Sequence, residues 1–417
     1  MSKISVRIET SEMKRALDVA GSVINRKNAL PILGCVVFRY NRERKTFEML
    51  ASNSEQFLRM DCQTRQKDGT QEPWLILIED DRKEPLQEFA VSHQQLREAI
   101  GGLPTMPCMA TIDTDKATIE VDYQTGRFSI PIETGAAEFP QMPAVAMTKE
   151  ENPQQPPVVV MTTEAQPLIQ VMQQAVTCAA SDELRLVMNT VCLDLFHDKM
   201  VIVASDGHSL FRQVRDTGVG YLTLADFEAT SRATVLVPKQ VLPTLAKAFA
   251  SAGQLTLAAD GHRAQFQADG LTLVTVCIDG HYPNYSGVIP QNNPHCIILG
   301  RQELTAALRR VGMFASDSSN MVTLKRDGAF IILSGEDMDF SRAARERVAL
   351  LNEAETSLPD GFQIGCKCAT MLALLPLIQT DAVRFHLSDP SRAMLLQPDD
   401  DNSGLTLLQM PMLINEA

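Results

Sequence analysis

Apolar and polar positions repeat three times along this chain in the same order. Each third opens with a short alternating stretch and then switches to helical spacing, in "ISVRIETSEMKRALDVAGSVI", "PVVVMTTEAQPLIQVMQQAV" and "CIILGRQELTAALRRVGMFA". Alternation sends successive side chains to opposite faces of a strand, whereas apolar residues three and four apart line one face of a helix. Met13, Ala16, Leu17, Ala20 and Ile24 form such a stripe in the first third, Leu168, Val171, Met172 and Ala175 in the second, and Leu304, Ala307, Leu308 and Val311 in the last. Thr10, Ser11 and Thr163 stand where N-caps of these helices belong.

Two strands around a polar turn follow each helix, in "FEMLASNSEQFLRM", "MVIVASDGHSLFRQ" and "AFIILSGEDMDFSRA". Each third then repeats the plan. A strand leads into a helix in "FAVSHQQLREAIGGL", "VLVPKQVLPTLAKAF" and "FQIGCKCATMLALLPLI", and paired strands come after. The pattern predicts an α+β protein of three tandem similar domains, each made of two strand-helix-strands halves. The last third is the weakest match, because Gly312 and Gly365 interrupt it. "AMTKEENPQQPPVV" and "SGVIPQNNPHC" read as linkers, giving an N-terminal domain over residues 1–150, a central domain over 151–291 and a C-terminal domain over 292–417.

Composition then narrows the class. Hydrophobic residues at 45% with 21% charged residues make the mixture of a globular protein. No apolar run reaches the length of a membrane span, and the opening residues carry no hydrophobic secretory core, so a cytoplasmic protein without a membrane partner is expected. The 9 scattered cysteines give no disulfide framework, and Cys366 and Cys368 lack the second pair a zinc site needs. A net charge of -13 excludes affinity for nucleic acid through a broad basic face, and leaves room for a basic stripe.

One stretch looks catalytic. "VASDGHSLFR" brings Asp206, His208 and Ser209 together, the residue types of a hydrolase triad. The other thirds carry "ASNSEQFL" and "LSGEDMDF" in the same place, without a histidine. Residues this close on an extended strand alternate faces, so the three do not converge on one reacting atom, and Asp206-Gly207 is itself a tight-turn signal. The glycines form no dinucleotide or phosphate-cradling motif, and the histidines show no metal-ligand spacing. Asp399, Asp400 and Asp401 read as a solvated hairpin tip, as do Glu79, Asp80 and Asp81 in their charged stretch. No catalytic residue, cofactor site or metal site is expected.

"NALPILGCVVF", "ASDGHSLF", "DGHYPNYSGVIP" and "LQMPMLI", in this order on a threefold repeat, resemble the beta sliding clamp family, the processivity subunits of bacterial DNA polymerase III. The resemblance covers the whole chain. It implies the DNA clamp fold and a head-to-tail homodimer, a closed ring with sheets outside and helices inside around duplex DNA. The DNA is encircled regardless of its sequence. The polymerase III catalytic subunit, the clamp loader and repair proteins dock through short peptides.

By the same resemblance, the partner-peptide pocket comprises Met188, Ser205, Gly207, His208, Ser209, Leu210, Pro283, Val288, Thr370, Met410, Pro411, Met412, Leu413 and Ile414. Ser209, Gly287 and Leu413 stand where the family commonly has arginine, and Thr370 where a tyrosine often gates the pocket, so a less basic rim is expected. Arg15, Lys27 and Lys239 match DNA-facing positions, with Arg26 basic beside Lys27. Phe128 and Ile130 match one side of the dimer interface, and Met313 and Phe314 the other. The segment from Gln63 to Glu88 is an insertion, and Trp74 within it reads equally as core or as partner contact. Two rival readings stand beside the clamp: an interaction scaffold that never meets DNA, and a hydrolase built on Asp206, His208 and Ser209.

Overall fold

The computed structural model describes residues 3–25, 28, 30–41, 46–65, 71–80, 88–113, 115–133, 135–147, 151, 159–182, 184–196, 198–216, 232–399 and 403–414. The first third runs β1 (Lys3–Glu9), α1 (Thr10–Val23), β2 (Cys35–Asn41), β3 (Thr46–Ser52) and β4 (Gln56–Asp61). After β5 (Gln63–Arg65), β6 (Gln71–Pro73) and β7 (Leu75–Asp80), it continues with β8 (Glu88–Ser92), α2 (His93–Gly101), β9 (Pro107–Asp113), β10 (Thr118–Tyr123) and β11 (Gly126–Pro131).

Among its described residues the second third repeats this order without the inserted strands. It holds β12 (Val159–Glu164), α3 (Ala165–Ala175), β13 (Thr190–Phe196), β14 (Lys199–Ser205) and β15 (Ser209–Asp216). Its second half is β16 (Arg232–Pro238), α4 (Leu242–Ala248), β17 (Gln254–Ala259), β18 (Arg263–Ala268) and β19 (Leu271–Val276), and a short α5 (Tyr285–Val288) follows. The last third has β20 (His295–Gly300), α6 (Arg301–Gly312), β21 (Met321–Asp327), β22 (Phe330–Asp337) and β23 (Arg342–Ala349). It ends with β24 (Gln363–Lys367), α7 (Cys368–Leu374), β25 (Ala382–Leu387), β26 (Met394–Pro398) and β27 (Leu405–Gln409). The α+β repeat predicted from patterning is the observed fold.

The sheets run across the linkers. One eight-stranded sheet, ordered β12-β17-β18-β19-β4-β3-β2-β8, joins the first third to half of the second. Another, β16-β13-β14-β15-β27-β26-β25-β20, joins the other half to the last third. The chain accordingly divides into two compact units, Met1–Gln170 with Tyr221–Asp226 and Gln240–Cys277, and Val171–Gly220 with Phe227–Lys239 and Ile278–Ala417. At both junctions the last strand of a first half pairs antiparallel with the last strand of the next second half: β4 with β19, and β15 with β27.

The tail of each third then bridges to the edge strand of one of its own sheets. Glu133 N–H donates to Ala90 O at 2.9 Å, Ile278 to Leu236 at 3.2 Å and Met412 to Gly365 at 2.9 Å. This recurring bond is the tertiary signature of the repeat.

Helix faces follow the predicted stripes with small shifts. Leu304, Ala307, Leu308 and Val311 are all buried, while in α1 Val23 is buried and Ile24 only half-buried. The caps differ from expectation. Glu9 is the N-cap of α1, and Thr10, inside the helix, bonds the backbone of Pro104 and Met106 at 2.9 Å. Thr163 lies in β12 instead of capping α3. A fully buried hydroxyl with backbone partners in a neighbouring loop ties that loop down, which outweighs a local cap.

The insertion is structural. Among the described residues, strand β7 pairs with β1 and adds a fifth strand to β11-β10-β9-β1-β7, where the matching sheet segments of the other thirds have four. Trp74, at 2% exposure, belongs to the core. Gly312 and Gly365 are close-packing positions: a Cβ on Gly312 would meet Cys368 Sγ at 2.6 Å, and one on Gly365 would meet Met412 O at 2.6 Å. Cys35, Cys62, Cys108, Cys178, Cys192, Cys296, Cys366 and Cys368 are free thiols.

Candidate partner-peptide site

The turn between β14 and β15 is held by its own side chains. Asp206 Oδ1 accepts from the backbone N–H of His208 at 2.8 Å and of Ser209 at 2.6 Å, and from Ser209 Oγ at 3.0 Å. Ser205 Oγ donates to Ser209 O at 2.8 Å and accepts from Gly207 N–H at 3.2 Å. Gly207 sits at φ +89°, the left-handed region that glycine enters without a Cβ penalty. Asp206 and Ser209 therefore do meet, because they belong to a turn and not to an extended strand. The carboxylate is consumed as a turn acceptor, and no hydrogen bond joins it to the His208 ring, so the third member of a triad is not in place.

The chain beyond β27 packs along this turn. Met410 N–H donates to His208 O at 2.8 Å, extending the β15–β27 ladder, and Gln409 Nε2 donates to Lys367 O at 2.9 Å. Met412 then bridges to Gly365. The backbone of the tail is thus fixed on both sides while Met410 and Leu413 face outward, 41% and 80% exposed. Pro411, Met412 and Ile414 are half-buried.

Beneath lies a cluster of Cys192, Val201, Val203, Leu210, Leu236, Tyr285 and Leu408, with Val187 and Tyr282 packed on it. Leu210, 1% exposed, is therefore floor and not lining, and Ser209 at 3% is a turn-former. His208, Pro283 and Val288 are exposed, and Met188 and Thr370 half-buried. A Cβ on Gly207 would stand 3.4 Å from Arg185 Nη1 and 4.0 Å from Met188 Cε, ordinary contact distances, so the left-handed φ and not lack of space favours glycine there. An exposed methionine- and leucine-rich strip on a hydrogen-bonded backbone suits short apolar peptides of varied sequence.

Several supporting residues escaped the sequence reading. Arg185 Nη1 donates to Asp206 O at 3.0 Å while its Nε reaches Asp182 Oδ2 at 3.2 Å, so a basic group stands beside the turn after all. The Leu184 backbone N–H, aided by Arg185, holds the Asp182 carboxyl below its ordinary value. Leu184 and Leu186, 92% and 55% exposed, add apolar surface in the same loop. Under the cluster, Asp194 is fully buried and accepts from Arg232 Nε at 2.5 Å, Arg232 Nη2 at 2.7 Å and Tyr285 Oη at 2.6 Å. Burial, then the Asp194 bond, pushes the Tyr285 hydroxyl up. The signal available in sequence was "DELRLVMN", whose charges break an otherwise apolar loop.

The other predicted positions behave differently. Arg15 is exposed and paired with Glu12 at 3.0 Å. Arg26 and Lys27 lie outside the described residues, as do Asp81, Asp400 and Asp401. Lys239 Nζ donates to Ala180 O at 2.5 Å and Ser181 Oγ at 2.9 Å, so it anchors a loop and is not a free cation. Met313 and Phe314 are exposed at 67% and 38%, but Phe128 is half-buried and Ile130 is 8% exposed. These last two face inward because they share the packed side of β11 with Val121 across the ladder. A cavity of about 1130 Å³ beside α1 and α2 contains none of the predicted site residues. Among the described residues no cluster of metal-ligating side chains occurs.

A threefold α+β repeat with continuous sheets and an apolar strip on its final tail defines the class of DNA-clamp proteins. Family models for the DNA polymerase III beta subunit match its central domain at residues 162–284 and its C-terminal domain at residues 286–413, more than half of the chain. The chain belongs to the beta sliding clamp family. It is 23% identical over 425 residues to the beta sliding clamp of Caulobacter vibrioides, covering 99% of this chain and 100% of that one. It is 22% identical over 405 residues to that of Pseudomonas aeruginosa, covering 97% and 98%. Its fold matches the sliding clamp from Pseudomonas aeruginosa bound to griselimycin with a TM-score of 0.82 at 19% identity, covering 99% of this chain and 100% of the other. It matches the DNA polymerase sliding clamp from Bacillus subtilis with a TM-score of 0.83 at 15% identity and the same coverage.

Proposed function

We propose that this chain is a DNA sliding clamp, built of domains at residues 1–150, 151–291 and 292–417, which closes with a second copy around duplex DNA. The carrying observation is the sheet arithmetic. Last strands pair at β4–β19 and β15–β27, which leaves β11 bound only to β10 and β23 only to β22 among the described residues. Repeating the same rule once more joins β23 of one copy to β11 of the next. That is a heterologous contact which closes by rotation and covers exposed sheet edges.

A net charge of -13 suits a ring held by enclosure, since topology replaces attraction and an acidic body does not stick. Arg15 is the described candidate for contact with phosphate. Lys239 is a weaker one, given its backbone anchorage. Met313 and Phe314 are exposed for the joint, while Phe128 and Ile130 support the opposing edge from within.

The strip of Met410 to Ile414 beside His208 receives short peptides of the polymerase catalytic subunit, the clamp loader and repair proteins. In this reading the protein has no catalytic role of its own, and ring opening falls to a separate ATP-driven loader. It works in the bacterial cytoplasm at the nucleoid.

Loaded protein should stay on nicked circular DNA and leave once that DNA is linearised. A scaffold that does not enclose DNA gives the same retention on both, and that result overturns the reading. His208→Ala should weaken peptide binding and leave the dimer intact. A hydrolase would instead lose a turnover reaction with this change.

A further inference from the structure

The polar turn of the last third differs from its counterparts. Strand β22 runs straight through "LSGED" to Asp337, so the turn is Met338–Ser341. In the first two thirds the equivalent turn is covered by the end of the next third's last strand. Val276 N–H donates to Glu55 O at 2.9 Å, and Met410 N–H to His208 O at 2.8 Å. Among the described residues, Met338–Ser341 receives no such bond from outside its own hairpin. It also carries two large apolar side chains where the other turns are polar: Met338 is 77% and Phe340 68% exposed. The tip is pre-formed. Asp337 Oδ1 accepts from the N–H of Asp339 at 3.1 Å and of Phe340 at 3.3 Å. Arg342 bonds Asp337 Oδ2 at 2.8 Å and lies 5.1 Å from the Phe340 ring centroid.

We propose that Met338 and Phe340 form a docking surface for the segment that ends β11 in a second copy of this chain. The inference rests on the head-to-tail dimer and names a contact within it. The occupant follows from the repeat. Counting from the β10–β11 turn, Tyr123↔Gly126, as from the β18–β19 turn, Ala268↔Leu271, Pro131 takes the place of Val276. Proline has no N–H, so this junction cannot make the backbone bond the other two make. Pro131 is exposed and Ile132 half-buried. An apolar tip against a proline replaces a hydrogen bond by contact area, and the surface is continuous with the β23 edge it adjoins. A fixed aromatic at such a place loses little entropy on docking.

The test compares dimer dissociation of the full chain by sedimentation for wild type and for Met338→Ser/Phe340→Ser, with Leu413→Ser as a control on an exposed apolar residue elsewhere. The double variant should weaken the dimer by about tenfold or more, with unchanged thermal unfolding of the separated chains, and the control should not. Mixed Phe340→Cys and Pro131→Cys chains should cross-link with a short bismaleimide, and neither should do so alone. A wild-type dimer that the double variant leaves unchanged, or that gives no mixed cross-link, overturns this contact and leaves the dimer standing. A wild type that stays a single chain at micromolar concentration overturns the dimer and the contact with it.

Discussion

Gly365→Ala should disable the peptide strip without unfolding the protein. The new Cβ would stand 2.6 Å from Met412 O, 3.1 Å from Met321 Sδ and 3.2 Å from Ile414 Cγ1. Carbon and carbonyl oxygen normally meet at about 3.3 Å, so the overlap with Met412 is about 0.7 Å. The obstructing atom is backbone, which cannot swing aside as a side chain does. Its residue is also the one whose N–H donates to Gly365 O at 2.9 Å. Overpacking of this kind costs about 1–3 kcal/mol, and the lost hydrogen bond about 1 kcal/mol. The tail can escape the strain by lifting off β24, so global stability should fall by no more than that sum. Peptide binding must then re-seat the tail, at a cost of about 1–3 kcal/mol, or roughly 5- to 150-fold in affinity. The assay is fluorescence anisotropy with a labelled clamp-binding peptide of the polymerase subunit, beside thermal unfolding and sedimentation. Gly253→Ala is the control, since nothing lies within 4 Å of a Cβ there. Affinity of Gly365→Ala within twofold of wild type would refute the claim that the pinned tail shapes the site.

Asp194→Ala leaves Arg232 and Tyr285 without their shared acceptor and should cost about 3 kcal/mol, read as a lower midpoint in denaturant. Asp337 is held below the usual carboxylate range by its Arg342 bond, so its contribution is present above about pH 4 and is lost as pH falls through the folded value. The stability gap between wild type and Asp337→Asn should therefore close as the pH is taken below about 4. His93 is held below its ordinary value chiefly by burial, with Nε2 placed 2.8 Å from Leu17 O. The unfolded chain then binds more protons below about pH 6.5, so acidification destabilises the fold there, and His93→Gln should flatten that slope.

Periodicity carried most of the fold because burial of one face per element is a local demand. The stripe Leu304, Ala307, Leu308 and Val311 is legible as three-and-four spacing and is buried as read. Caps were less legible: Thr10 has a cap-forming side chain, yet its partners lie at Pro104 and Met106, far along the chain. The turn at Asp206-Gly207 could be read because its acceptor and its donors are neighbours in sequence. Arg185 could not be read as part of it, since only folding brings residue 185 to the carbonyl of residue 206.

The sequence by itself determined the threefold α+β order, the tight turn at Asp206-Gly207 and the membership that four ordered motifs imply. These depend on spacing along the chain and on local backbone preference. Tertiary structure alone decided that Gly312 and Gly365 are points of close approach, that Trp74 is core, that Lys239 is an anchor and that Ile130 faces inward. It also decided that the last turn is an apolar tip at Met338 and Phe340. The physical reason is common to all five: each depends on which distant backbone or side chain occupies the space beside the residue, and a pattern of periods carries no record of that neighbour.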